Sequence, residues 1–287
     1  MKNKHDIIWL DSTDSTNQEA LRQISRLDNL SVVSAERQTN GRGQRGNRWK
    51  SNDGENLLFS IVLKFSDNTS RGIFHELMPP LSAYDRFVLN EAAALAVVDF
   101  LAAHGISADI KWPNDIYVNG RKICGILIEN SLRGNNVSSS IVGIGINVNQ
   151  TEFDPELPNP TSMTLCRPDS RHEPYNLKIC LEEFMDIFKA YTERYLHING
   201  GYLSLRRLYL AKLWKLETSA RFLDFTSLPS GHLNGPLNTH ADKSTYPEAR
   251  EFNGMIRGLS DIGNLLVEDL DTGTTREYGF KEIGLIP

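Results

Sequence analysis

The spacing of apolar residues changes along the chain from mixed helix and strand periods to short strand periods near residue 216. Ile7 to Leu10 reads as a first strand, followed by an oxygen-rich turn from Asp11 to Ser15. Thr16-x-x-Glu19 has the form of a capping box, and Ala20, Ile24 and Leu27 follow at helical spacing. Ser31 to Ala35 predicts a strand, and Asn56 to Phe65 a second, almost wholly apolar one. Phe87 to His104 predicts the strongest helix; it is alanine-rich, apolar on most faces and stopped by Gly105, so it is expected to be buried. Asp109 to Trp112 leads into a break at Pro113-Asn114. Ile116 to Val118 and Ile123 to Ile128 flank Asn119-Gly120, the signal of a hairpin with a type I′ turn. Ser140 to Asn149 predicts another strand, Thr151 to Pro174 an irregular stretch, and Asn176 to Leu196 a helix.

Beyond Leu216 the alternating runs Ala220–Phe225, Glu251–Leu259, Asn264–Asp269 and Thr275–Phe280 predict a small all-β module of SH3-like barrel type. A polar insertion near 227–248 interrupts it. The expected domains are therefore 1–215 and 216–287, the first α+β and the second all β.

Composition narrows the classes. With 40% hydrophobic and 23% charged residues, the 287-residue chain is globular rather than disordered. A net charge of −5 excludes a global basic field for nucleic acid. Cys124, Cys166 and Cys180 have neither Cys-x-x-Cys spacing nor paired histidines, which argues against a structural zinc site, and their low, odd number fits a reducing cytoplasm. No apolar run approaches the roughly 20 residues that span a bilayer. The reading is of a soluble, cytoplasmic protein.

Five elements carry candidate chemistry. Gly41-Arg42-Gly43-Gln44-Arg45-Gly46-Asn47-Arg48-Trp49 combines glycines, which admit close backbone approach, with arginine forks suited to carboxylate and phosphate. It reads equally as a basic surface loop, and it lacks the helix that a dinucleotide motif requires. Lys111-Trp112-Pro113-Asn114-Asp115 puts polar groups at a strand end, or forms a plain turn. Lys122 and Gly125 in the hairpin arm Arg121–Glu129 pair a cation with a strand glycine, or merely make a basic arm. Gly143-Ile144-Gly145-Ile146-Asn147 is a ligand-facing strand or a tightly packed one. Asp14-Ser15-Thr16-Asn17 is a polar ligand contact or a helix cap.

Taken together and in this order, the Ser-Thr-Asn element, the G-R-G-x-x-G loop with its tryptophan, K-W-P-N-D, K-x-x-G-I-L and G-I-N resemble the biotin–protein ligases along nearly the whole chain. The resemblance implies a mixed-sheet catalytic domain of the class II synthetase-like biotin/lipoate ligase type with flanking helices, followed by an SH3-like barrel. It implies a ligase that joins biotin and ATP into biotinyl-5′-AMP. The biotin then passes to a lysine of a biotin carboxyl carrier protein, as in acetyl-CoA carboxylase. Mg²⁺ accompanies the nucleotide, and no dedicated metal cage is visible.

By the same resemblance, Ser15, Thr16, Asn17, Gln38, Gly41, Arg42, Lys122 and Gly125 fall at biotin-binding positions. Arg42, Gln44, Arg45, Trp49, Asn114, Lys122 and Asn147 fall at adenylate positions. Arg42, Lys122 and Asp115 are the expected catalytic residues, with Asp115 orienting or deprotonating the incoming lysine. Many relatives have arginine where this chain has Gln44, which changes the expected phosphate contacts of the loop. The first catalytic strand begins by Ile7, so no N-terminal DNA-binding domain is expected, and the oligomer is expected to be a monomer or homodimer. Two other readings remain: a lipoate or octanoate ligase or transferase of the same fold, and a non-catalytic nucleotide- or RNA-binding protein using the arginine loop.

Overall fold

The computed structural model describes residues 5–66, 77–167, 173–197, 201–228 and 246–286. They form two compact units, Met1–Gly43 with Arg48–Lys212, and Gln44–Asn47 with Leu213–Pro287. Most of the expected insertion near 227–248 lies outside the described residues.

The first unit is built on a mixed sheet. Its strands are β1 (Ile7–Thr13), β2 (Val32–Gln38), β3 (Leu57–Lys64), β4 (Leu81–Ser82), β5 (Asp109–Lys111), β6 (Asp115–Val118), β7 (Arg121–Arg133) and β8 (Asn136–Ile146). Their order is β1-β2-β3-β8-β7-β6-β5, with β4 also on β8. Among the described strands only β1 and β2 pair in parallel; α1 (Thr16–Arg22) makes the crossover between them. Asn119 and Gly120 have φ of +50° and +73°, as the type I′ turn between β6 and β7 requires.

Both faces of the sheet are covered near its centre, which is why β3 and β8 read as continuous apolar runs. On one face α1 packs Ala20 against Val33, Val62 and Ile141, with Leu27 behind it. On the other lie α2 (Val88–Ala103) and α4 (Leu177–Tyr191), where Phe184 meets Phe59 of β3 at 5.2 Å and Phe100 of α2 at 6.0 Å. No helix among the described residues is long and apolar enough to cross a membrane.

The capping box expected at Thr16 does not form. Ser15 takes the N-cap position, Glu19 binds Arg22 and Gln23, and the Thr16 amide donates to the Gln38 side chain at 2.8 Å. Side-chain partners from β2 win over local capping here. Two helices were not foreseen: α3 (Met163–Cys166), inside the stretch expected to be irregular, and α5 (Gly201–Ala211). The exposed Leu203 and Leu208 blur the apolar period of α5, whose buried face is Leu205 and Tyr209.

The second unit is an SH3-like antiparallel sheet of β9 (Ser219–Asp224), β10 (Arg250–Leu259), β11 (Leu265–Asp269), β12 (Thr274–Tyr278) and β13 (Ile283–Leu285), ordered β12-β11-β10-β9-β13. Phe222, Phe252 and Tyr278 stack through its core.

Phe184 is fully buried between sheet and helix. Truncation by Phe184→Ala is expected to cost about 3–5 kcal/mol. Equilibrium chemical denaturation checks this, and a loss under about 1 kcal/mol would show that the helix does not depend on this contact.

Candidate functional site

The site lies on the α1 face of the sheet, beyond the short helix. Register places Ser60 of β3 opposite Gly143 of β8, and Gly145 opposite Gly125 of β7. Successive residues of a strand point to opposite faces, so Ser60, Gly143, Gly145 and Gly125 share one face. Three of these four residues have no side chain, and the result is a shallow trough floored by backbone.

At the Gly143 end sits a neutral hydrogen-bonding cluster. A Cβ on Gly143 would fall 2.1 Å from Asn17 Oδ1, so the glycine is what admits Asn17. Ser60 Oγ is 2.6 Å from Asn17 Oδ1 and 2.8 Å from Thr16 Oγ1. The Asn17 amide oxygen only accepts, so Ser60 donates to it, while the Thr16 hydroxyl lies between Ser60 Oγ and Gln38 Oε1, 3.2 Å away, with one proton for the two. Asn17 Nδ2 donates to Glu129 Oε2 at 2.8 Å, and Arg42 donates to Glu129 Oε1 at 3.1 Å. The turn beneath is fixed by Asp14, which accepts from the Ser15 amide at 2.8 Å and from Arg22; the guanidinium holds its carboxyl well below the usual range.

The other end is cationic. Lys122 Nζ pairs with Asp115 Oδ1 at 2.7 Å, while its backbone is pinned between the Asn159 carbonyl and the Thr161 amide. Lys111 is buried, and its ammonium lies 5.0 Å from the centre of the Tyr117 ring. Burial pushes its pKa down to about 8; Asp115 opposes the shift and Lys122 adds to it. Tyr209 of α5, fully buried, donates to the Pro113 carbonyl at 2.9 Å and so fixes the turn before Asn114 and Asp115.

The arginine loop is a small hairpin. Arg42 bridges Arg48, the Trp49 amide donates to the Gly41 carbonyl at 3.1 Å, and Gln44 opens a short 3₁₀ turn at the tip. A Cβ on Gly41 would meet the Trp49 carbonyl at 2.6 Å and the Gln38 amide at 3.2 Å. The Trp49 indole lies on the trough floor, where a Cβ on Gly145 would fall 2.6 Å from it and one on Gly125 2.9 Å. Its Nε1 is buried without a hydrogen-bond partner among the described residues.

The fold thus brings Thr16, Asn17, Gln38, Arg42, Trp49, Asp115, Lys122 and Gly125 around one trough. Ser15 is buried at the base of α1, without a side-chain capping bond. The amides of Asn114 and Asn147 are engaged with the carbonyls of Ile126 and Thr161, and both residues tie strand backbone together. The Arg45 side chain lies outside the described residues. Sequence reasoning missed Ser60, Glu129 and Lys111 as site residues. Ser60 had a visible signal, being the one polar residue inside the apolar run Leu57–Leu63.

Comparison with known proteins bears on the fold that holds this geometry. Residues 9–147, from the first strand to the end of the glycine strand, match the model of the Biotin/lipoate A/B protein ligase family. The bifunctional ligase/repressor BirA of Bacillus subtilis is 38% identical over 151 residues, covering 52% of this chain and 41% of its own length. The biotin–[acetyl-CoA-carboxylase] ligase of Paracoccus denitrificans is 40% identical over 139 residues, covering 47% and 52%. The chain thus spans about half or less of these relatives' length. In structure, the biotin protein ligase from Aquifex aeolicus, solved in complex with biotin and ATP, aligns over 99% of both chains with a TM-score of 0.67 at 23% identity. The fold is that of the biotin protein ligases.

The lowered Lys111 pKa has a consequence for stability. Between about 8 and 10.5 the unfolded chain holds a proton that the folded one has released, so stability rises with pH there. The penalty is complete below about 8. Lys111→Met is therefore expected to be more stable than the parent at pH 7, with the difference narrowing as pH rises toward 10.5. Denaturation midpoints across this range check it, and a pH-independent difference would contradict it.

Proposed function

We propose that the chain is an ATP-dependent biotin–protein ligase. Biotin and ATP give biotinyl-5′-AMP and pyrophosphate, and the biotinyl group then passes to a lysine amine of a biotin carboxyl carrier protein. The observation that carries this reading is the division of the trough: a side-chain hydrogen-bonding cluster closed by the Arg42–Glu129 pair at the Gly143 end, and two lysines with Asp115 at the Gly125 end. One strand repeat of about 7 Å separates the two glycines of β8. A ureido ring, which both donates and accepts without charge, suits the Thr16, Asn17, Gln38 and Ser60 cluster. A carboxylate and an α-phosphate suit Lys122 and Lys111, with Arg42 reaching in from the loop above the other end.

The first nucleophile is already an anion, so no base is needed for adenylation. The protein must hold two negative groups together and stabilise charge that grows between them. Lys122 and Arg42 supply that charge, each held by a carboxylate that keeps it in place, Asp115 and Glu129. The buried indole Nε1–H of Trp49 is a donor ready for the adenylate. Gln44 at the loop tip offers hydrogen bonding without charge. In the second step a basic group must take the proton of the attacking amine. Asp115, beside Lys122, is the carboxylate to which we assign orienting or deprotonating that amine. Lys111 shares its surroundings and is half-neutral near pH 8.

Asp115 and Glu129 are each ion-paired to a cation, Lys122 and Arg42. Mg²⁺ would accompany ATP and offset the charge of its phosphates. The three unpaired cysteines fit a cytoplasmic setting.

Mass spectrometry of the protein after incubation with Mg-ATP and either biotin or lipoate tests the assignment. Retained biotinyl-AMP supports it; retained lipoyl-AMP alone would replace it with the lipoate reading, and no adenylate from either would refute ligase activity. Lys122→Ala removes a charge-assisted contact and is expected to cost adenylation about 1.5–3 kcal/mol, a rate loss of roughly 10- to 100-fold, with the fold intact. Biotin-dependent pyrophosphate release at the parental rate in a folded variant would reject this role.

A further inference from the structure

Sequence spacing argued against a structural zinc site, but metal donors need to converge only in space. At the junction of α2 and α4, apart from every residue assigned to the reaction, three donors of different chemistry do so. His104 caps the C-terminus of α2. Cys180 and Glu183 lie three residues apart in the first turns of α4, on one face. Their ligating atoms are all within 4.8 Å of one another, and His104 Nε2 is 3.2 Å from Glu183 Oε2.

A tetrahedral zinc ion with bonds of about 2.0–2.3 Å keeps its donors about 3.3–3.7 Å apart. The imidazole–carboxylate edge already has about that length, and the sulfur edges need to close by little more than about 1 Å. Side-chain rotation supplies that much. The imidazole is held edge-on by Phe100 at 4.9 Å and Tyr175 at 5.4 Å. Cys180 is buried and Glu183 exposed, giving the cluster an apolar floor and a wet rim. A cleft lined by His104, Arg167 and Tyr175 adjoins it.

We propose that His104, Cys180 and Glu183 bind a divalent transition-metal ion of the zinc class, with water from the adjoining cleft as fourth ligand. Sulfur and imidazole donors select such an ion over Mg²⁺ or Ca²⁺. Binding breaks the S–H bond of Cys180, forms a metal–thiolate bond and releases one proton to solvent. The ion fastens the end of α2 to the start of α4. Just before α4, Tyr175 exchanges backbone bonds with the Asn149 side chain at 2.8 and 2.9 Å, so the same ion steadies the segment returning from β8.

The test uses the full chain, stripped with a chelator and then loaded with Zn²⁺ or Co²⁺. One equivalent of zinc is expected to survive desalting and raise the melting temperature, and cobalt to give a thiolate-to-metal charge-transfer band. Cys180→Ala and His104→Ala are expected to lose retention. Glu183→Gln, an exposed change that leaves the fold intact, is expected to weaken binding at least about tenfold. Failure of the parent to retain zinc, equal retention in Glu183→Gln, or cobalt binding without a thiolate band would each overturn the site.

Discussion

A side chain at Gly143 would collide with Asn17 at 2.1 Å, and one at Gly145 with the Trp49 ring at 2.6 Å. That steric constraint organises the site. Strand glycines weaken a sheet because they add backbone entropy and bury no side chain. Here they lie in the central strands β7 and β8, where the opposite face carries Phe59, Ile144 and the helices packed on it. The apolar face supplies the stability that the bare face forgoes. With α1 only seven residues long, the glycine strip extends beyond its cover.

Around that strip the polar groups satisfy one another in a fixed order. Thr16, Ser60, Asn17 and Glu129 form a hydrogen-bonded chain with Gln38 at its other end, so their side chains are oriented before any partner arrives. The charges follow a second rule. Arg42 and Lys122 each hold a carboxylate, whereas Lys111 is buried and its ammonium is correspondingly disfavoured. An anionic reactant beside Lys111 would offset the cost of burying its ammonium, which ties that cost to the chemistry proposed for the site.

Much of this was legible in the sequence, for reasons that differ between elements. The all-round apolar helix at Val88–Ala103 and the Asn-Gly hairpin were readable because local pattern and tertiary role agree there. The capping box at Thr16 failed because Gln38, twenty-two residues away, claims the Thr16 amide. α5 escaped notice because only Leu205 and Tyr209 of its apolar residues are buried. Resemblance picked out Thr16, Asn17, Arg42, Lys122 and Gly125, and the fold brings them together. It did not single out Ser60, Glu129 or Lys111, whose importance depends on strand register and burial. The His104–Cys180–Glu183 cluster was invisible for the same reason: it joins the end of one helix to the beginning of another.

The bare backbone at Gly143 is the point on which the account turns, and equilibrium binding of biotin to Gly143→Ala tests it most directly. The added Cβ meets the end of the short Asn17 side chain rather than backbone, so the protein is expected to fold with Asn17 displaced and the Thr16–Ser60 chain broken. Loss of one or two hydrogen bonds in this cluster predicts biotin affinity reduced at least about tenfold, with a melting temperature close to the parent's. Biotin affinity equal to the parent's in the folded variant would contradict the claim that this glycine makes the site.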